Sequence, residues 1–309
     1  GLDLGPNVLG ARIASTAEAT DSTGVVTVSG ETGNTIHVTF TGTAGVYELT
    51  PPIDATGATA QPVVLPSGNL STIGNGLVTV SAIQTDAAGN ESPAATTTFT
   101  LDNTAPADMT IGLALGVTSP VGTAVATDSA GVVVVSGGEL NAEITVTFTD
   151  SVAPPNANVV TKTLTGTDAD LSVALDAADL ELLEDGTITV AVTQTDEAGN
   201  DQGTAANTTF TLDTEAPLAV AMTLKSGLEN GATTSEAIAA DAVTILGEDG
   251  ATVTVTFTGP NGSVVKTIED ATGGTTYDNL DDALSVNDLV TLGNGTISIS
   301  AVQTDAAGN

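Results

Sequence analysis

The feature that most constrains this chain is a phrase it repeats. Thr85-Asp-Ala-Ala-Gly-Asn90 returns as Thr195-Asp-Glu-Ala-Gly-Asn200 and as Thr304-Asp-Ala-Ala-Gly-Asn309, at steps of 110 and 109 residues. A second phrase, Thr-Val-Thr-Phe or its variant, ends at Phe40, Phe148 and Phe257. A third, Thr-Phe-Thr-Leu-Asp, ends at Asp102 and Asp213 and runs into Asn-Thr-Ala-Pro106 or Thr-Glu-Ala-Pro217. A period this long exceeds any solenoid repeat and suits one β-sandwich per period. With 309 residues, the expected organisation is all-β: three tandem immunoglobulin-like sandwiches over 1–102, 103–213 and 214–309. The third repeat stops without its Thr-Phe-Thr-Leu-Asp strand, so we read it as incomplete and the chain as a fragment.

Local patterns agree with that period. Ile36, Val38 and Phe40 alternate with Thr35, His37 and Thr39, and Ile188, Val190 and Val192 alternate in the same way. A period of two marks a strand with one buried face. Gly24 to Ser29, Gly131 to Ser136 and Ala242 to Leu246 read as further strands. Asn69-Leu-Ser-Thr-Ile, Asp179-Leu-Glu-Leu-Leu and Asp288-Leu-Val-Thr-Leu read as single helical turns beginning at Asn or Asp. Gly76, Gly186 and Gly295 then open the next strand. About seven strands per repeat in two antiparallel sheets are expected. Only 2 % of the chain is aromatic, so the cores must be built mainly from Val, Ile, Leu and Ala.

Charge narrows the function. Asp and Glu number 38 against 4 Lys and Arg, a formal charge of −34. Phosphate contacts need cationic side chains, which argues against nucleic acid, and an anionic membrane is disfavoured for the same reason. No apolar run is long enough to span a bilayer, and no signal peptide opens the chain. With no Cys, disulfides and thiolate metal sites are excluded.

The topology of such a sandwich gathers the acids. The Thr-Asp-x-Ala-Gly-Asn turn joins the last two strands, at the end where the linker from the preceding repeat arrives. The turn between the second and third strands lies at that same end and holds Glu31, Glu139 and Glu248, each nine residues before the recurring Phe. Junction one should therefore collect Asp102, Glu139, Asp196 and Asn200. Junction two should collect Asp213 with Glu215, Glu248 with Asp249, and Asp305 with Asn309. Asp3, Glu31 and Asp86 are the corresponding set in the first repeat, where Asp3 to Glu31 is shorter than Asp102 to Glu139. Crowded carboxylates repel, and a hard cation taking roughly 6–8 oxygens reverses that sign, with Ca2+ better suited than magnesium. The competing reading is turn chemistry alone: Asp-x-Ala-Gly-Asn is also a tight hairpin turn.

These phrases, the acidic composition and the lack of Cys resemble the bacterial immunoglobulin-like extender domains of giant adhesins exported by type I secretion. The resemblance covers essentially the whole chain. It implies a secreted, cell-surface spacer in adhesion and biofilm formation, rigidified by interdomain calcium. It also implies that a host-cell or surface ligand is bound by another region. We expect a monomer whose partners are its own neighbouring repeats. Rival readings are an enzyme, a ligand- or glycan-binding adhesin module, and an S-layer or cell-wall repeat. The lone His37 lies on the outward face of its strand, where the other repeats carry Thr145 and Thr254, so no triad recurs. Two Tyr (Tyr47 and Tyr277) and no Trp make a poor aromatic platform for sugar. Gly74-Asn-Gly76 and Gly273-Gly274 read as ordinary turns. The expectation is a non-enzymatic protein.

Overall fold

The computed structural model describes the whole chain except residues 9, 11, 153–156 and 270–283. Tyr277 and Gly273-Gly274 therefore lie outside the described residues. The protein is all-β, and its described residues form three separate hydrophobic clusters spaced along the sequence as the phrases are.

In the first repeat one sheet runs β1 (Leu2–Leu4), β3 (Val26–Gly30), β7 (Gly57–Val63). The facing sheet runs β2 (Ile13–Ala14), β9 (Ala95–Leu101), β8 (Gly76–Thr85), β4 (Thr35–Thr41), β5 (Val46–Glu48), with β6 (Ile53–Asp54) also on β4. Two sheets over one core, in this order, form an immunoglobulin-like sandwich. The second repeat keeps it: β10 (Thr110–Leu113), β11 (Val133–Ser136) and β14 (Leu171–Val173) face β13 (Val159–Thr165), β12 (Glu143–Thr149), β15 (Gly186–Thr195) and β16 (Ala206–Leu212). The third has β17 (Ala221–Leu224) on β18 (Val243–Leu246), and β20 (Gly262–Ile268), β19 (Thr252–Gly259), β21 (Ser298–Thr304). Among the described residues no strand pairs with the second edge of β21.

The alternation expected from sequence is the alternation of burial. Ile36, Val38 and Phe40 of β4 and Ile188, Val190 and Val192 of β15 are all buried. The chain has five Phe, and Phe40, Phe99, Phe148, Phe210 and Phe257 all lie in the cores. Each buried Phe contributes about 1.5–3 kcal/mol.

Four expectations need correction. Strand number varies: among the described residues the repeats carry nine, seven and five strands. The sheets are not purely antiparallel. β2 runs parallel to β9, with Ile13 opposite Thr100 and Ala14 opposite Leu101, and Val121 makes the matching parallel bridge to Leu212. A two-residue strand leaves no periodicity to read. Finally, the helical turns begin earlier than Asp179 and Asp288. In α4 (Ala177–Leu182) the cap is Asp176, and in α6 (Val286–Leu292) it is Ser285. Asp179 and Asp288 are instead the third helical residues, reaching back to close capping boxes. These boxes recruit two of the few cations: Lys162 contacts Asp179 and Asp176, and Lys266 Nζ lies 3.1 Å from Asp288. Gly295 also does not open a strand, since β21 starts at Ser298.

Candidate metal centres at the repeat junctions

Each Thr-Asp-x-Ala-Gly-Asn phrase forms the same closed turn. Asp86 Oδ1 accepts from the backbone N–H groups of Ala88 (2.9 Å) and Asn90 (2.8 Å), and Oδ2 from Asn90 Nδ2 (2.8 Å). Asp196 accepts from the Asn200 backbone and side chain, both at 2.8 Å. Asp305 accepts from Ala307 N (2.9 Å), Asn309 N (2.9 Å) and Asn309 Nδ2 (3.0 Å). Hydrogen bonds to a carboxylate favour its charged form. The Asn90 side chain, followed by its backbone N–H, holds the Asp86 carboxyl below its usual 3.8. The glycine of each turn has positive φ (87°, 86° and 91°), which explains its recurrence.

What separates the second and third turns from the first is the linker. Asn200 Nδ2 donates to the Asp102 carbonyl (3.0 Å), and Asn309 Nδ2 to the Asp213 carbonyl (2.7 Å). Ala198 and Ala307 inside those turns are buried, at 5 % and 7 % exposure, whereas Ala88 is exposed. The linker and the turn thus meet at both junctions in the same way.

The remaining candidates take different roles. Asp102 Oδ1 accepts from Thr104 N (3.1 Å) and Asn75 Nδ2 (3.4 Å), and Asp213 Oδ1 from Glu215 N (3.3 Å). Glu31, Glu139 and Glu248 are exposed, and each is anchored through its backbone N–H. Glu248 also accepts from the linker N–H of Leu218 (3.3 Å). Glu215 and Asp249 are exposed. Asp3 is exposed in the middle of β1, opposite Thr27 of β3, and no hydrogen bond joins it to Glu31 or Asp86. Among the described residues no three acidic or His side chains gather closely enough to form a metal cluster by themselves. His37 is half exposed, with Nδ1 3.6 Å from Glu48 Oε1.

Sequence reasoning missed the residue just before each repeated phrase. Gln194 is buried; its Oε1 accepts from Glu139 N (2.8 Å), and its Nε2 donates to Ala107 O (2.7 Å) and Gly137 O (3.2 Å). Gln303 repeats this with Glu248 N (2.9 Å) and Leu218 O. Gln84 accepts from Glu31 N at 2.7 Å. The signal was available, because the phrase is Gln-Thr-Asp in all three copies. On the upstream side, Asn75 holds Asn103 N and Thr104 Oγ1, and Asp185 holds Thr214.

No family model matches the chain, and no curated protein matches it. Among solved structures it is similar to a tetra-tandem repeat from the extending region of a large adhesion protein: 23 % identity over 92 % of this chain and 67 % of that one, TM-score 0.29. It is also similar to a 1.5-MDa bacterial ice-binding adhesin, with 22 % identity over 99 % and 86 % and TM-score 0.35. A third is a Ca2+-stabilized adhesin with which an Antarctic bacterium binds ice, with 22 % identity over 98 % and 72 % and TM-score 0.38. Among the described residues no helix is long and apolar enough to cross a membrane.

Proposed function

We propose that the chain is a non-enzymatic extender segment of a secreted bacterial surface adhesin. In this reading residues 1–102, 103–213 and 214–309 are tandem domains, and Ca2+ stiffens their junctions. The observation that carries the proposal is the repeated meeting of linker and turn: Asn200 on Asp102 and Asn309 on Asp213. A fixed junction formed twice by the same residues suits a spacer, since relative domain motion is otherwise the default.

Calcium fits the donor chemistry. Every candidate donor is an oxygen, the set a hard cation of roughly 6–8 ligands prefers. The residues that would hold it are Asp102, Glu139, Asp196 and Asn200 at junction one. At junction two they are Asp213, Glu215, Glu248, Asp249, Asp305 and Asn309. Exposed carboxylates such as Glu139 and Glu248 would add further oxygens to that set. The ion would neutralise local charge in a chain of formal charge −34 and cross-link the linker to the domain that follows.

Small-angle X-ray scattering in millimolar calcium and in excess EDTA, at matched ionic strength, tests this directly. A longer, narrower shape distribution with calcium, together with bound calcium by elemental analysis, is the expected result. Superimposable curves with no bound calcium would leave a calcium-independent spacer and refute the metal reading.

A further inference from the structure

We propose that Asn200 and Asn309 are interdomain latches that hold neighbouring repeats in register without any metal ion. A primary amide has two N–H donors. In Asn200 the amide nitrogen serves two oxygens at once, the Asp196 carboxylate of its own turn (2.8 Å) and the Asp102 carbonyl of the arriving linker (3.0 Å). Asn309 does the same with Asp305 (3.0 Å) and the Asp213 carbonyl (2.7 Å). Two oxygens that would repel if brought together bare are joined by one donor group, and the bond to the carboxylate is charge-assisted. In the first repeat Asn90 makes the same turn bonds to Asp86.

The latch grips only main chain. A second grip follows five residues later, where Gln194 holds the Ala107 carbonyl and Gln303 the Leu218 carbonyl. Linker length between the two grips is therefore fixed, while Thr104 Oγ1 accepts from Asn75. At junction two the grip is extended upstream, because Asn309 Oδ1 accepts from Thr123 N (3.4 Å). This inference rests on the junctions as the functional site but not on calcium.

The test is made in EDTA. The chain has no Cys, so Thr96→Cys and Thr209→Cys, both at exposed positions, place one spin label on each side of junction one. The distance distribution is measured by pulsed electron paramagnetic resonance. The latch predicts a narrow component in the parent that is lost in Asn200→Ala. It should also be lost in Asn200→Asp, which keeps the shape but turns an oxygen toward the Asp102 carbonyl. Asn90→Ala, which removes only turn bonds, should leave the component intact. Circular dichroism that overlays the parent shows that the sandwiches remain folded in each variant. A narrow component that persists in Asn200→Ala overturns the latch, and so does its loss in Asn90→Ala as well. Adding calcium to the labelled parent is read separately: no change there defeats the calcium reading and leaves the latch standing.

Discussion

Replacing Gln194 by Leu should loosen the second repeat by an amount the geometry sets. Gln194 is 1 % exposed and makes three hydrogen bonds, to Ala107, Gly137 and Glu139. Leu matches its volume closely, so the loss is one of polar pairing and not of packing. The three freed backbone groups belong to residues exposed to water, so they are re-solvated in part and the full desolvation penalty does not apply. At a net value of about 0.5–1.5 kcal/mol per bond, the expected loss is about 2–4 kcal/mol. Native-state amide exchange reads this locally, on the central strands β12 and β15. Protection there should fall by about 30-fold to 10³-fold, since 1.4 kcal/mol is tenfold. Gln84→Leu removes the counterpart bond from Glu31 N, one bond against three, and should cost about a third as much. Equal effects of the two substitutions, or no change in either, would refute the claim that Gln194 gains its weight from the linker.

Three other outcomes follow from particular contacts. Gly122→Ala should reorient the third repeat on the second, because a Cβ there would lie 2.4 Å from the Ala307 carbonyl and 2.9 Å from Asn309 Oδ1. Labels spanning junction two should shift while those spanning junction one do not. Hydrogen bonds from the Ser285 backbone and hydroxyl, with Lys266, hold the Asp288 carboxyl below 3.8. A carboxyl depressed on folding stabilises fully above its unfolded value and loses that contribution as pH falls through the folded one. Acid titration of β19 and β21 amide protection should therefore lose its dependence below about pH 4 in Asp288→Asn. Phe257→Ala should destabilise the third repeat by about 3–5 kcal/mol, read as lost protection in β19 with β12 unchanged.

Much of this was legible because burial follows period. Phe40, Phe148 and Phe257 recur at the same step and sit in equivalent cores. The convergence of linker and turn was legible too, because antiparallel strand order leaves only one end for both. Other features were hidden for physical reasons. Asp179 and Asp288 looked like helix caps because a capping-box acid at the third helical position resembles a cap in sequence. The roles of Asp86, Asp196 and Asp305 in closing their own turns were visible as the competing reading, and the structure fills it with Asn90, Asn200 and Asn309. Gln84, Gln194 and Gln303 were overlooked because a single uncharged residue beside a carboxylate draws no attention until its partners are seen. Nothing in Ile13-Ala14 announces a strand, since its pairing is set by β9 and not by its own pattern.

That short parallel pairing matters when the molecule is pulled. In the first repeat Thr100 N donates to Arg12 O and Asp102 N to Ala14 O, both at bonds of 2.8–2.9 Å beside the exit of the last strand. In the second, Val121 N donates to Thr211 O and Asp213 N to Val121 O. Tension between the two ends of such a repeat drags these strands past one another along their length. The bonds are then loaded together, in shear, and must fail as a group, whereas an antiparallel hairpin end would unzip them one after another. Forced unfolding is governed by the height of that rupture barrier and not by equilibrium stability. A repeat built this way resists sudden pulls better than its small core alone would allow.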